Sequence, residues 1–320
     1  MNKVIFVIPY FGKFNNYFQL FLNSCKNNDE YNWLLITDDK TKYDFPENVT
    51  VIYDEFENLK SKIQAKFKEI KISLDSPYKL CDFKPTYGYI FEEYVKDFEY
   101  WGYCDIDLIF GKINNFLNLE KLSEYDKIGV LGHFTIFKNS KEIRELFLKD
   151  ERYKIVLSSP KSFKFDEEFG EDFGESINNI FEKYNKKIAD LKDFADIYVK
   201  SSNFKIINYD MKNKKYNLAK HRKNVFVYNS GILENYFLEN KKLFLKEYMY
   251  IHLQKRKMEV KINNNNNIYK IIPNSFLDLE NNINSVKNFK KIKTKKINLH
   301  YFKIRLKNLK VKIKKKMEEK

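Results

Sequence analysis

Three observations predict an α/β fold, an open and mostly parallel sheet flanked by helices with a basic tail behind it. Short apolar runs alternate with amphipathic, helix-spaced stretches up to about residue 135. The runs are apolar on both faces, which suits strands covered by helices on either side. The charge is also lopsided: residues 281–316 carry 14 Lys or Arg and no Asp or Glu, against a net charge of +15 for all 320 residues. The body is therefore nearly neutral, and a nucleic-acid-binding body with a basic face is not expected. The expected division is an α/β body over 1–280 and a basic amphipathic tail over 281–320.

Each element follows from local pattern. KVIFVIPYF, ending at Pro9 and two aromatics, reads as an interior strand, and an amphipathic stretch runs on to Lys26. WLLITDD and VTVIYDEF read as the second and third strands. ENLKSKIQAKFKEI has helical spacing at Leu59, Ile63, Phe67 and Ile70. PTYGYIFEEYVKDFEY opens with Pro85, which suits a helix start. YWGYCDIDLIFG at 100–111 is a strand that acquires two carboxylates as it finishes, and KIGVLGHFTIF reads as a strand pair. FDEEFGEDFGES reads as an acidic loop leading into a helix. VFVYNSGILENYF, EYMYIHLQKRKM and IYKIIPNSF look strand-like, with the turn-prone run NNNNN at 263–267 between the last two.

Several classes are disfavoured. Three widely spaced cysteines, Cys25, Cys81 and Cys104, form no C-x-x-C pair, so neither a disulfide framework nor a zinc knuckle follows, and a reducing compartment is expected. The apolar run before Pro9 is too short for a signal peptide, and no uninterrupted stretch of about 18 apolar residues offers a membrane span.

The chemistry centres on Asp105 and Asp107. With 19 Asp in the chain, chance alone supplies about one D-x-D triplet, so the triplet by itself says little. Its position says more, because ligands of open α/β sheets bind beyond the carboxyl ends of the strands. In extended geometry residues i and i+2 project to one side, and two carboxylates there repel unless a cation sits between them. A hard divalent ion, Mg²⁺ or Mn²⁺, takes one or two carboxylates and keeps sites for phosphate oxygens. The plainer reading is a strand end with solvated acids.

The order of elements resembles the GT-A type of nucleotide-sugar glycosyltransferase. More narrowly, PYFG, LITDD, KLCDFKPTYGYIF, WGYCDIDLIFG, GHFTIFKN and YIHLQKRKM together resemble a family of bacterial surface-polysaccharide glycosyltransferases, over roughly residues 4–275. The resemblance implies that Pro9, Tyr10 and Phe11 line a nucleoside pocket, with Thr37 and Asp38 bonding the base; Asp38 serves equally as a turn cap. It implies a phosphate site at Lys79, Asp82 and Lys84 before a helix, where a surface pairing of Lys84 with Asp82 is the alternative. His252 would join the two aspartates as a metal ligand, although a lone His in an apolar strand is more often a bonded core residue. Lys255, followed by Arg256 and Lys257, would hold the diphosphate, and His133 and Thr135 would face the donor sugar or acceptor. Among the six acids of the 165–176 loop, Asp166 and Glu167 are the candidate catalytic carboxylates.

The tail, KKIKTKKINLHYFKIRLKNLKVKIKKK, places Phe302, Leu306, Leu309 and Ile313 on one helical face, with Ile304 and Val311 opposite; strand-like alternation fits part of it equally. A basic amphipathic segment on a neutral body reads as attachment to an anionic membrane surface, with nucleic-acid binding and solvated disorder as rivals. The resulting expectation is a metal-dependent enzyme, peripheral on the inner face of the cell membrane. It would move a sugar from a UDP-type donor to a glycan or polyprenyl-linked acceptor of the bacterial surface. A non-catalytic membrane-associated scaffold and a sugar-phosphate transferase are the alternatives.

Overall fold

The computed structural model describes residues 3–169, 176–220, 223–262, 267–297 and 299–318. Its strands are β1 (Val4–Pro9), β2 (Tyr31–Thr37), β3 (Val49–Tyr53), β4 (Tyr100–Cys104), β5 (Leu108–Phe110), β6 (Lys127–Leu131), β7 (Phe134–Lys138), β8 (Ile188–Ala189) and β9 (Phe194–Ile197). They continue as β10 (Ile206–Asp210), β11 (Lys215–Leu218), β12 (Asn224–Asn229), β13 (Ile232–Glu239), β14 (Lys242–Tyr248), β15 (Tyr250–His252), β16 (Glu259–Lys261), β17 (Ile268–Ile272) and β18 (Ser275–Asp278). The helices used below are α1 (Phe18–Lys26), α2 (Phe56–Lys66), α3 (Ile177–Lys183), α4 (Val286–Lys291) and α5 (Leu299–Glu318).

The main sheet runs β3-β2-β1-β4-β7-β6-β8. β3, β2, β1 and β4 are all parallel, β7 is antiparallel to both neighbours, and β8 is parallel to β6. The fold is thus mixed α/β on a mostly parallel sheet. Strand alternation sends Val4, Phe6 and Ile8 to one core with α1, and Ile5 and Val7 to the other with α2. Both faces are covered, which is why β1 and β2 read as unbroken apolar runs.

A second sheet, β11-β10-β9-β15-β5, and a third, β14-β13-β12-β17-β18-β16, pack around a core that includes Ile109, Ile197, Phe226 and Ile251. β12 and β13 form a hairpin whose turn residues Ser230 and Gly231 both have positive φ, 49° and 96°, the twist that a two-residue hairpin needs. Ile283, Phe289 and Ile292 are buried against the third sheet, so the first part of the basic segment, α4 included, is packed on the body.

Two local expectations change. The segment opening at Pro85 does not form one helix: it is a run of single turns, Lys84–Thr86, Tyr87–Ile90 and Glu92–Val95. Its TYGY start has weak helical propensity, and packing against Trp101 decides instead, since a Cβ on Gly88 would lie 2.3 Å from that indole. The tail, open between helix and strand on pattern alone, is the helix α5 from residue 299. Glu171, Asp172 and Glu175 of the acidic loop, and all of the Asn run but Asn267, lie outside the described residues.

Candidate functional site

The D-x-D pair stands where the chain changes sheets. β4 ends at Cys104, Asp105 donates its backbone N–H to His133 O at 2.9 Å, and β5 then pairs with β15 in the second sheet. Asp105, Ile106 and Asp107 make a turn at this seam instead of an extended strand end, because Ile106 is drawn into the core. The side chains still converge. The register of β5 on β15 sets His252 opposite Leu108, and its Nε2 lies 3.4 Å from Asp107 Oδ1 and 3.9 Å from Asp105 Oδ2.

Asp196, on β9 beside β15, accepts at 2.9 Å from His252 Nδ1. That bond fixes the ring so that Nε2 faces the two aspartates, the arrangement that carboxylate partners give to metal-ligating histidines. Gln254 also donates to Asp196, at 2.6 Å. Burial disfavours the imidazolium, yet Asp107 and Asp196 outweigh it and push His252 up to about 10. The pocket thus has a strong field for a positive charge. Asp107 is 3% exposed, its Oδ2 takes the backbone N–H of Lys255, and its Oδ1 is buried with no hydrogen bond.

Do these groups fit a divalent cation? Two carboxylates and an imidazole that would give up its Nε2 proton to an incoming ion, with ligand atoms within 4.8 Å of one another and one buried oxygen without a hydrogen bond, are a suitable donor set. His133, Asp196 and His252 also cluster within that distance. That set suits an ion less well, because Asp196 is already committed to His252 and Gln254, and His133 Nε2 meets Tyr250 OH at 3.0 Å.

A built-in cation balances part of the charge. Lys84 Nζ lies 2.8 Å from Asp105 Oδ1, 3.1 Å from Asp166 Oδ2 and 2.7 Å from Gly132 O. The repulsion expected of two bare aspartates is therefore relieved in advance, and Lys84 does not pair with Asp82. Burial raises the Asp105 carboxyl, but Lys84 and His252 prevail and hold it at about 2. Burial wins at Asp166, which is pushed up to about 7 despite Lys84. Gly132 permits this contact, since a Cβ there would sit 2.4 Å from Asp166 Oδ2.

Two cavities meet at this point. One of about 410 Å³ is lined by Pro9, Tyr10, Phe11, Lys13, Tyr17 and Tyr78; the other, of about 460 Å³, by His133, Asp166, Glu167, Asp196, Tyr198 and His252. Both are bounded by Lys84, Asp105, Asp107 and Lys255. Gln254 and Lys255, which close the seam, have left-handed backbones with φ of 55° and 53°. Consecutive non-glycine residues in that region store strain of the kind found at functional sites.

Of the residues singled out in sequence, Pro9, Tyr10, Phe11, Lys84, Asp105, Asp107, His133, Asp166, Glu167, His252 and Lys255 line one or both cavities. Five do not, and the structure corrects the roles expected of them. Lys79 is buried and spent on Asp82 at 2.7 Å and on Val156 O and Lys161 O. Asp82 in turn accepts from the backbone of Phe163 and Phe165, so the pair braces the chain leading to Asp166 and forms no phosphate site. Thr135 is buried and bonded to Leu131 O, and Thr37 accepts from the Asp39 backbone. Asp38 accepts the Gly12 N–H at 2.7 Å, which ties it to the loop after β1.

Sequence reasoning missed Asp39, Asp196 and Tyr17. Asp39 binds Lys13 Nζ at 2.6 Å and Phe14 N at 3.1 Å, anchoring the PYFG loop. The signal for Asp196 was present: a single acid inside the apolar stretch FADIYV. Tyr17 OH is buried without a hydrogen bond although its residue lines the first cavity.

Over residues 6–280 the sequence matches a family described as "Family of unknown function (DUF6625)". No curated protein matches the chain. Similar solved structures include the galactosyltransferase LgtC in complex with donor and acceptor sugar analogs, at 11% identity and a TM-score of 0.32, with 61% of this chain and 75% of that one covered. An active-site mutant of LgtC gives 11% identity and a TM-score of 0.32, covering 61% and 74%.

Proposed function

The chain belongs to the family of unknown function DUF6625, and we propose that this member is a metal-dependent glycosyltransferase. It moves a sugar from a nucleotide-diphosphate donor, UDP-sugars being the first to test, onto a glycan acceptor at the inner face of the cell membrane. The reading rests on one observation above others: Asp105, Asp107 and His252 converge where two cavities meet, with a buried Asp107 oxygen left unbonded. Mn²⁺ or Mg²⁺ held by these three residues would offset the charge of a departing diphosphate.

The chain's own groups divide the remaining work. Tyr10, Phe11 and Tyr78 offer aromatic walls to a nucleoside, and Lys13 and Lys255 offer cations to phosphates. The second cavity takes the sugar and the acceptor. Transfer breaks the bond from the anomeric carbon to the diphosphate and forms one to the acceptor oxygen, whose proton must go to a base. Asp166, raised to about 7 and backed by Glu167, suits that task near neutral pH. Among the described residues no helix is long and apolar enough to cross a membrane, and attachment through the basic face of α5 is part of the proposal.

The test is a thermal-shift and hydrolysis screen of nucleotide sugars with and without Mn²⁺. A cooperative rise in melting temperature with UDP plus Mn²⁺, and release of the nucleoside diphosphate, are expected. A scaffold would show no Mn²⁺-dependent shift, and release of the monophosphate would instead indicate a sugar-phosphate transferase. The Tyr17 hydroxyl gives a finer check. Tyr17→Phe keeps the ring against Phe276 and should leave the melting temperature unchanged, while nucleotide affinity falls by about tenfold as a buried donor is lost. Calorimetric titration with UDP and Mn²⁺ reads it, and unchanged affinity would free Tyr17 of any part in binding.

A further inference from the structure

A cavity of about 720 Å³ lies between α5 and the 198–205 loop. One wall is apolar: Phe302, Leu306 and Leu309 line it and are 54%, 58% and 54% exposed. The other wall carries Lys200 and Lys205, with Arg305 reaching in from the helix, and among the described residues no Asp or Glu lines the cavity. The groove is built and not merely a gap under a loose helix. Tyr301 is 6% exposed, Arg305 donates to its hydroxyl at 2.9 Å, and Asn308 donates to Lys200 O. Leu299, 79% exposed, extends the apolar stripe with spacing 3, 4, 3 along α5. Tyr198 lines both this groove and the acid-lined cavity beside Asp105 and Asp107.

We propose that the groove receives the phosphate-bearing end of a lipid-linked acceptor. The cations meet the phosphate, the stripe covers the start of the hydrocarbon chain, and the sugar beyond the phosphate passes Tyr198 into the second cavity. Charge complementarity and continuity with the site both point to that occupant. A nucleic acid would use the cations and leave the aliphatic residues Leu299, Leu306 and Leu309 facing water, so the apolar stripe favours the lipid. The inference rests on the glycosyltransferase reading for what enters the second cavity, but the groove can be tested apart from it.

The experiment measures partition of the full chain onto phosphatidylcholine vesicles doped with a polyprenyl phosphate, or with phosphatidylglycerol at matched surface charge. Wild type should bind the polyprenyl phosphate vesicles about tenfold more tightly. The double variant Leu306→Ser, Lys205→Glu should lose that preference while keeping the UDP and Mn²⁺ thermal shift. Equal binding to both vesicle types would overturn the groove, reducing α5 to a general anionic anchor. Tighter binding to a single-stranded oligonucleotide than to either vesicle would overturn it too. Lipid discrimination without any UDP and Mn²⁺ shift in wild type would uphold the groove and sink the enzyme reading instead.

Discussion

Asp107→Asn should abolish the Mn²⁺-dependent part of UDP binding and, with it, sugar transfer, while the protein stays folded. The amide oxygen can still accept the Lys255 N–H, so the bond that closes the seam survives. What disappears is the negative charge on a buried oxygen that lacks a hydrogen bond and faces His252 Nε2 at 3.4 Å. A buried oxygen lacking a hydrogen bond costs stability, but Asp107 also faces the His252 ring at 3.4 Å and favours its charged form, so the two effects oppose each other and the variant should stay folded with a modest change in melting temperature. Changing a partner that merely orients a metal ligand costs about 10–100-fold in affinity or activity, so removing a ligand's charge should cost at least about 100-fold. Two measurements settle it together: Mn²⁺ titration in the presence of UDP, and the melting temperature without either. A variant that still gains nucleotide affinity from Mn²⁺ would remove Asp107 from the ion site. One that simply unfolds would mean that the carboxylate is structural.

Lys84→Met carries the largest expected cost in stability. Lys84 is 12% exposed and stands between Asp105 and Asp166, which are 28% and 3% exposed at the side chain. Methionine keeps most of the volume but leaves two carboxylates without their cation. Breaking a buried pair by removing one partner typically costs about 3–5 kcal/mol, because a charge is left stranded. Urea denaturation should register a loss of that order. Two controls separate charge from packing. Adding Asp166→Asn to Lys84→Met should recover part of the loss, since the stranded acid is gone. Mn²⁺ should stabilise Lys84→Met more than wild type, because it would replace the charge that Lys84 holds between Asp105 and Asp166. If Lys84→Met is as stable as wild type, the balance described here is wrong.

What could be read from the sequence follows from where the information resides. β1 and β2 were legible because burial on both faces leaves an apolar run within a single window, and the D-x-D pair because it interrupts another such run. Partnerships were not legible, because they join residues far apart in the chain. Lys84 meets Asp105, Asp166 and Gly132 only after the sheet has formed, and Asp196 reaches His252 because β9 and β15 become parallel neighbours. Lys79 and Asp82 misled for the same reason: a lysine and an acid before a helical turn look like a phosphate site until Val156, Lys161, Phe163 and Phe165 arrive to use them. Asp166 and Glu167 were picked from six loop acids without a local signal for either, and it is burial that sets Asp166 apart from Glu167 and Glu168.

The seam at Asp105 to Asp107 means that no portion of this chain owns the pocket. The aspartates belong to the link between two sheets, the imidazole to a strand nearly 150 residues later in the sequence, and the internal lysine to the turns before β4. Neither half, expressed separately, carries Asp105, Asp107 and His252 together, so the pocket is indivisible even where the layers around it look modular.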